Sequence, residues 1–499
     1  MAVRERAPMR RAARRIARIT VHLDTMTTRT DRLLLTSAIV GQFLSGFGGR
    51  IFIVSLPTIA SDLRADIIGV TWALIAYQLA GICLSVVFGR LGDLHGRYAI
   101  YGTGFAIMSA SSFLCGVAPT VGWLVAFRLV QGVGAAMISS ATRVLAMEAM
   151  PERAAGKANG FMTTALHGGN LLGPPLGGFV IDTIGWRWTF FLLAPIGVIG
   201  TVLTAISARG RRPVARARTA SIDYVGSALL VVLTAMLTFL LDRRSADSLG
   251  ALQAVMALGF VAVLVGFLAH ERHVSNPIVN LSLFRIRMFA FSVLSLLIIG
   301  TTYTMMSFLL PFYIQDVLHL SASFMGLLFL VAPVFTIAFA IVSGQVTDRI
   351  GPQIPAAIGV VMTMGAFAVG CAFRPDSHWI LPAAMMGLAG LGSGFFNTPN
   401  QTAILGSVPR AYRGFAAGMV QMMFGIGSLL GISLATVLLT TMFRYRSGIP
   451  DARPGADDPV ALVFAMNGTY LVCVVLGAVA LIASLMRGRT RIAAADSGV

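Results

Sequence analysis

The stretch GNLLGPPLGG, at 169–178, decides the fold of this chain. It combines two glycines four residues apart, a proline and a closing glycine pair, which are Gly169, Gly173, Pro174, Gly177 and Gly178. The stretch lies in an uncharged run, about 158–181, that is long enough to cross a bilayer as a helix. One face of such a helix has almost no side chains, so another helix can approach its backbone closely. The proline removes a backbone donor and bends the helix.

A second copy of this pattern organises the chain. Gly427 and Gly431 lie in a later apolar run, and 431 − 173 = 258. PERAAGKANG at 151–160 matches PRAYRGFAAG at 409–418 at the same offset. A third pair, GRLGDLHGR at 89–97 and GQVTDRIGP at 344–352, has a slightly smaller offset, since 348 − 93 = 255 for its aspartates. We expect two copies of one helical bundle in the same orientation, a plan described for secondary transporters.

The composition indicates an all-α polytopic membrane protein. Of 499 residues, 56% are hydrophobic and only 12% are charged, about half the charged fraction of soluble domains. The mean hydropathy is +0.81. Only helices suit such long apolar runs, because the bilayer offers no partners to backbone groups. Fourteen runs qualify as spans, at about 34–57, 70–89, 98–117, 121–142, 158–181, 189–208, 223–241, 251–269, 289–311, 323–343, 354–373, 379–401, 414–440 and 461–486.

The distribution of charge predicts the topology. The net charge is +18, but the arginines crowd the N-terminal tail, the loop after the sixth span and the C-terminal end, which lie on one side of the membrane. Loops on the other side are acidic or neutral. This positive-inside pattern places both termini in the cytoplasm, as an even number of spans requires, and it argues against a nucleic-acid partner. Lys157 is the only lysine, and this use of arginine hints at a GC-rich bacterial genome. The predicted location is the cell inner membrane.

The sequence favours no enzymatic function. The four cysteines have no metal-ligand spacing, and no phosphate-binding loop, metalloprotease motif or nucleophile elbow occurs. We therefore expect no metal, no catalytic residue and no cofactor.

The chain resembles the major facilitator superfamily, and more narrowly its fourteen-span drug/proton antiporter branch of the multidrug-efflux type. The resemblance implies a major facilitator fold, with two six-helix halves and two linking helices. The predicted divisions are a basic cytoplasmic tail (1–32), an N-terminal bundle (33–208), a linker with two extra helices (209–288), a C-terminal bundle (289–486) and a cytoplasmic tail (487–499). The glycine stretch resembles the antiporter motif, which the family uses for helix packing and as a permeability seal.

Two further motifs carry the resemblance. GRLGDLHGR resembles the family's cytoplasmic gating loop, which assigns that role to Gly89, Gly92, Asp93, Gly96 and Arg97, with Asp348 as the remnant in the second copy. RLVQGVGAA in the fourth span resembles a motif linked to proton movement, in which Arg128 and Gln131 match. A buried arginine is costly in a membrane and is typically functional, although an arginine that only tethers helices is an alternative.

The first span departs from the branch. Gly48 stands where the family has an aspartate, and Ile53 replaces an asparagine. Arg50 lies at a depth similar to that of Arg128, so the two cations favour an anionic or neutral amphipathic substrate. His167 is the only mid-membrane group with a pKa near neutrality, and we hypothesise that it carries the proton. The alternatives are a snorkelling Arg50 and a purely structural His167.

Other polar side chains are candidates for the substrate path: Gln42, Tyr77, Gln78, Asn170, Tyr303, Asn397, Asn400, Gln401 and Gln421. The predicted function is export of small amphipathic molecules, drugs or metabolites, by alternating access with proton exchange. Export of a self-made anionic metabolite, an uptake symporter, and a non-transporting sensor or scaffold remain open. The expected partners are the substrate, protons and the lipid bilayer, and the protein is expected to be a monomer.

Overall fold

The computed structural model describes residues 29–150, 155–209, 250–274, 281–409, 412–449 and 458–488, with position 454 and eight positions between 225 and 240. Every long segment in these ranges is helical, and no strand occurs in them. The tail at 1–28, most of the predicted seventh span and the C-terminal residues from 489 onward lie outside the described residues.

The N-terminal half consists of seven helices, which make up six spans. They are α1 (Arg29–Asp62), α2 (Ile67–His95), α3 (Arg97–Gly116), α4 (Val121–Glu148), α5 (Ala155–Ile184), α6 (Arg187–Phe191) and α7 (Leu193–Ala208). Side chains define where two of these helices begin. Asp66 Oδ1 accepts from the Gly69 amide at 2.9 Å at the start of α2, and Thr120 caps α4. The sixth span is interrupted only at Leu192.

The linker and the C-terminal half contribute the remaining helices. They are α8 (Gly250–His273), a 3₁₀ turn (Leu281–Arg285), α9 (Arg287–Phe312) with a π turn (Tyr313–Val317), α10 (Ala322–Leu328), α11 (Val331–Ile350), α12 (Gln353–Gly370), α13 (Ile380–Gly406), α14 (Arg413–Ser447) and α15 (Pro459–Met486). Helices α10 and α11 together form the predicted tenth span. We call the end of the bundle at which α1 begins and α15 ends proximal, and the opposite end distal.

The predicted spans correspond to these helices, apart from the seventh, which lies mostly outside the described residues. Within the described residues, eleven helices are long and apolar enough to cross a membrane. The all-helical polytopic class is thereby confirmed. The ends differ from prediction where helices continue past the apolar run: α1 starts at Arg29 rather than after residue 32, and α2 continues to His95. A prediction from hydropathy ends each span at the first charged residue, whereas the helix itself continues until its backbone turns.

The repeat at offset 258 is visible in the packing. In α5, a Cβ on Gly169 would meet the Phe43 carbonyl oxygen, and α5 lies against α1. In α14, a Cβ on Gly427 would lie 2.8 Å from the Leu297 carbonyl oxygen of α9. The first span of each half is therefore contacted by the fifth span of the same half, through glycines at matching positions.

The repeat at offset 255 is visible in two turns. Gly96 follows α2 with φ of +104°, and Gly351 follows α11 with φ of +83°. Both glycine amides donate back to a carbonyl four residues earlier, of Gly92 and Thr347. Glycine is required at both positions because L-residues rarely adopt positive φ.

Three apolar clusters show how the halves meet. One contains distal residues of both halves, among them Leu56, Ile59, Leu310 and Leu439. A second consists only of N-terminal-half residues, largely from the proximal portions of α1, α3 and α4. A third consists of proximal residues of the C-terminal half with the linker. The halves share one core distally and have separate cores proximally, as expected of a bundle open at its proximal end.

The proximal end of α15 is capped by side chains. The Nε atoms of Arg487 and Arg287 donate to the carbonyls of Ser484 and Met486, both at 2.8–2.9 Å, and Gln353 donates to Leu485. Such donors satisfy carbonyls that have no partner in the helix. Arg487 is 2% exposed, so the first residue of the predicted cytoplasmic tail packs within the bundle.

Candidate functional site

Contacts between the halves close the distal end. Gln315, in the π turn after α9, donates to the Val54 carbonyl at 3.1 Å and accepts from the Thr58 hydroxyl at 3.2 Å. Val54 and Thr58 belong to α1. Since these hydrogen bonds cross from one half to the other, they exist only while the distal ends are together.

The antiporter-motif glycines serve two interfaces. A Cβ on Gly173 would lie 3.0 Å from Cβ of Arg50, and one on Gly177 would lie 2.6 Å from Ile51, so both face α1 within the same half. Gly178 instead faces the C-terminal half, where a Cβ would meet the Ala322 carbonyl oxygen. A Cβ on Gly326 of α10 would likewise meet the Pro174 carbonyl oxygen. The motif therefore packs α5 against α1 and seals α5 against α10.

Arg128 is enclosed within the N-terminal half. Its side chain is 1% exposed, and its Cζ lies 4.1 Å from the Phe52 ring centroid and 4.2 Å from that of Tyr77. Nε donates to the Ala73 carbonyl at 3.2 Å. Two aromatic faces and a carbonyl oxygen stabilise a cation in a site from which water is excluded.

A polar chain leads from this arginine to α3. Arg128 Nη1 donates to Gln131 Oε1 at 2.7 Å, and Gln131 Nε2 donates to Ser112 Oγ at 2.7 Å. Nη2 is buried with no hydrogen-bond partner, and Arg128 forms no ion pair with the described carboxylates. Phe52 and Tyr77 cover Arg128 in this conformation, and its role in proton coupling stays a prediction.

Arg50 has a different environment, although it lies only two residues from Phe52. It is half-buried, and no hydrogen bond or ion pair is found for it within the described ranges. Val54, one turn further along the same side of α1, accepts the Gln315 bond that crosses between the halves. A methyl group on the adjacent Gly49 would meet no atom within 4 Å. Arg50 thus lies proximal to the distal closure, and its Cβ faces Gly173 of α5.

His167 is exposed and lies in the proximal part of α5. Positions seven apart on a helix lie on nearly the same face, so His167 shares a face with Pro174, which contacts α10. At its own level the two halves have separate cores. His167 is therefore on the side of α5 that faces the C-terminal half across the proximal gap.

The predicted path residues differ in burial. Six are half-buried, namely Gln42, Tyr77, Gln78, Asn170, Tyr303 and Asn397, and two, Gln401 and Gln421, are exposed. Asn400 is 0% exposed. Its Nδ2 donates to the Ser292 carbonyl at 3.1 Å, and its Oδ1 accepts from Arg487 at 3.1 Å. Asn400 joins three helices and is closed to a substrate in this conformation.

Comparison with known proteins agrees with this geometry. The sequence profile of the Major Facilitator Superfamily matches residues 38–432 and 292–495. The chain belongs to the Major Facilitator Superfamily. The bundle is similar to a solved bacterial homologue of the human lysosomal transporter Spinster in an inward-facing, unoccupied conformation, with a TM-score of 0.66, 13% identity, and coverage of 92% of this chain and 97% of that one.

The chain is also similar in sequence to characterised transporters. The chain is 28% identical to the riboflavin transporter RibZ of Clostridioides difficile, over 88% of this chain and 93% of that protein. It is 26% identical to the multidrug transporter MdtP of Bacillus subtilis, over 83% and 76%, and 29% identical to the multidrug resistance protein Stp of Mycobacterium tuberculosis, over 87% and 80%. This Major Facilitator protein is a transporter, not an enzyme, and its relatives include multidrug transporters and a riboflavin transporter.

The family's gating loop is mostly helical here. Gly89, Gly92 and Asp93 lie inside α2, and Gly96 alone forms the turn, so the predicted loop was too long. The Asp93 side chain lies outside the described residues. Arg97 pairs with Glu148 at the end of α4 at 2.9 Å. Asp348 is exposed near the end of α11. The loop's function stays a prediction.

Sequence reasoning missed the polar residues of the distal end. Asp62 accepts from Trp186 Nε1 at 2.9 Å and from Arg187 Nη1 at 2.6 Å, which fixes α1 to the sixth span. Asp182 and Gln315 bridge the halves. Nothing in the local sequence marks them, because their partners are more than a hundred residues away. No cluster of metal-ligating side chains occurs in the part of the chain described.

Proposed function

We propose that this protein is a secondary active transporter that exports small amphipathic molecules across the bacterial inner membrane by alternating access, in exchange for protons. The observation that carries this proposal is the pair of halves that share a distal core but have separate proximal cores. A substrate entering from the proximal side reaches Arg50 and meets the closed distal end beyond it.

The orientation follows from charge. Arg97, Arg287 and Arg349 lie at the proximal end, which is also the end of the arginine-rich tails. Positive residues are retained on the cytoplasmic side, so the proximal gap opens to the cytoplasm and both termini lie there. Loading from the cytoplasm is the step that export requires.

The substrate class follows from the two arginines. Arg128 is held by aromatic rings and carbonyl oxygens, whereas no hydrogen bond or ion pair is found for the half-buried Arg50 within the described ranges. An unpaired cation in a low-dielectric site attracts an anionic or strongly dipolar group. Anionic or neutral amphiphiles are therefore favoured over lipophilic cations.

Proton exchange is assigned to His167. The family's first-span aspartate is replaced by Gly48, so another titratable group has to face the gap. His167 does so from α5, near the seal formed by Pro174 and Gly178. Its exchange of protons with the cytoplasm while the proximal gap is open would couple the cycle to the gradient.

Transport of a metabolite is the second candidate. It is favoured by the similarity to a riboflavin transporter over most of both chains. An uptake symporter would differ from this transporter only in that substrate and protons cross the membrane in the same direction. We further propose that the transporter works as a monomer without a cofactor.

The test uses purified protein in liposomes that contain a pH-sensitive dye. A proton gradient is imposed, and cationic, neutral and anionic amphiphiles are added in turn. We expect substrate-dependent proton flux that is lost in His167→Ala and kept in His273→Ala, which alters an exposed histidine on the linking helix α8. Flux that survives His167→Ala would exclude this histidine as the proton carrier. No flux with any amphiphile would contradict proton-coupled transport of this substrate class.

A further inference from the structure

Asp182 at the distal end of α5 receives two hydrogen bonds from the other half. Its Oδ1 accepts from the Ala322 amide at 3.2 Å, and its Oδ2 accepts from the Ser323 amide at 2.7 Å. These are the first amides of α10. The third amide of this turn, of Phe324, donates to the Ser321 hydroxyl at 3.1 Å.

We propose that Asp182 is a positioning residue of the transport cycle, which holds the distal end closed by capping α10 and has to release it before the distal end opens. The proposal rests on the alternating-access cycle proposed above. Asp182 lies outside the glycine stretch. Gly178, one turn earlier on the same face, leaves room for the Ala322 carbonyl and so sets the distance between α5 and α10.

The first turn of α10 depends on an acceptor from the other half of the molecule. The first amides of a helix have no partner within the helix, and a nearby side chain ordinarily satisfies them. Here the acceptor for two of them belongs to the opposite half. When the halves separate distally, both bonds break, and the carboxylate leaves the positive end of the helix. Contacts made in only one of two states bias the equilibrium toward that state.

Asp62 provides a matched control at the same end of the molecule. Both carboxylates are exposed, and both accept two hydrogen bonds. The donors to Asp62 are Trp186 and Arg187, which belong to the same half as Asp62 itself. Because that half moves as a unit, loss of Asp62 leaves the balance between the two openings unchanged.

The experiment measures distances between spin labels in liposomes. The four cysteines are replaced by alanine, and labels are attached at Val117→Cys and Tyr445→Cys on the distal ends of the two halves. A second pair, Ala99→Cys and Ile354→Cys, reports on the proximal ends; all four positions are exposed. Each pair is measured in the parent, Asp182→Ala, Asp182→Asn and Asp62→Ala.

We expect Asp182→Ala to raise the ratio of distal-open to distal-closed molecules by about five- to thirtyfold, with the proximal pair moving closer. Asp182→Asn keeps an acceptor oxygen and should give a smaller shift, and it tests the proposal if the alanine variant does not fold. Asp62→Ala should match the parent. Unchanged distances in both Asp182 variants, or an equal shift in Asp62→Ala, would overturn the proposal.

Flux measured in the same liposomes separates this proposal from the proposed function. A parent that transports, combined with Asp182 variants whose distances match it, would overturn the capping role alone. A parent without flux whose Asp182→Ala variant opens distally would support the capping role and count against the proposed transport.

Discussion

Nη1 of Arg128 donates to Oε1 of Gln131 at 2.7 Å, one turn further along α4, and both side chains are fully buried. The pair stabilises a cation that has no carboxylate partner among the described residues, since the rest of its environment is aromatic rings and a carbonyl. Gln131 in turn is held by Ser112 of α3. The arginine of the fourth span is therefore part of a polar chain within one half.

Gln131→Leu should destabilise the protein. The substitution leaves Arg128 Nη1 buried without a partner, which costs about 1–3 kcal/mol. We expect a lower midpoint of thermal unfolding in detergent. Gln401→Leu, at an exposed glutamine on α13, is the control and should unfold like the parent. Equal midpoints for Gln131→Leu and the parent would mean that Arg128 finds another partner.

Gly169→Ala and Gly168→Ala form a matched pair on neighbouring positions. A methyl group at Gly169 would collide with the Phe43 carbonyl of α1, whereas one at Gly168 would meet no atom within 4 Å. Overpacking of this kind costs about 1–3 kcal/mol. The yield and thermal stability of purified Gly169→Ala should fall, and those of Gly168→Ala should not. A larger loss of stability in Gly168→Ala than in Gly169→Ala would show that the contact with α1 does not lie on the Gly169 face of α5.

The glycine face of α5 and the repeat could be predicted because helical periodicity and offsets are properties of the sequence itself. The sequence also indicated correctly that Arg128 is buried. It could not show that Arg128 is covered while Arg50, with the same charge and a similar depth, is only half-buried. That difference depends on Phe52 and Tyr77, which approach from two helices. Asp182 was missed for the same reason, since its donors are 140 and 141 residues away.

Asn400 should prove structural rather than substrate-binding. Asn400→Leu removes the acceptor of Arg487 and the donor to Ser292, all of them buried, so we expect a loss of about 1–3 kcal/mol in stability. The apparent KM of the correctly folded fraction should be unchanged. Asn397→Leu alters a half-buried asparagine on the same helix and serves as the comparison. A raised KM for Asn400→Leu at full stability would return this residue to the substrate path.

Gln315→Ala should loosen the distal closure. The substitution removes both hydrogen bonds to α1, through Val54 and Thr58. Ala322→Cys places a thiol at a 3% exposed position where α10 meets Gly178 of α5, and it should react faster with a water-soluble, membrane-impermeant reagent from the side to which the distal end faces. Labelling in right-side-out and in everted vesicles distinguishes the two sides. Faster labelling from the outside alone would also support the assigned orientation. An unchanged labelling rate would show that the shared apolar core suffices to keep the distal end closed.

Arg50→Gln should change which substrates the transporter accepts. The guanidinium, which has no partner among the described residues, lies proximal to the Gln315 closure, so an anionic group bound there gains a charge-assisted hydrogen bond that glutamine provides only weakly. Losing it should raise the KM for an anionic amphiphile by about tenfold or more, while a neutral analogue of the same shape is little affected. Arg64→Gln, at an exposed arginine beyond the end of α1, should leave both values unchanged. If the KM for the neutral analogue rose as much as that for the anion, Arg50 would be shaping the site rather than selecting charge, and the substrate class proposed from it would be wrong.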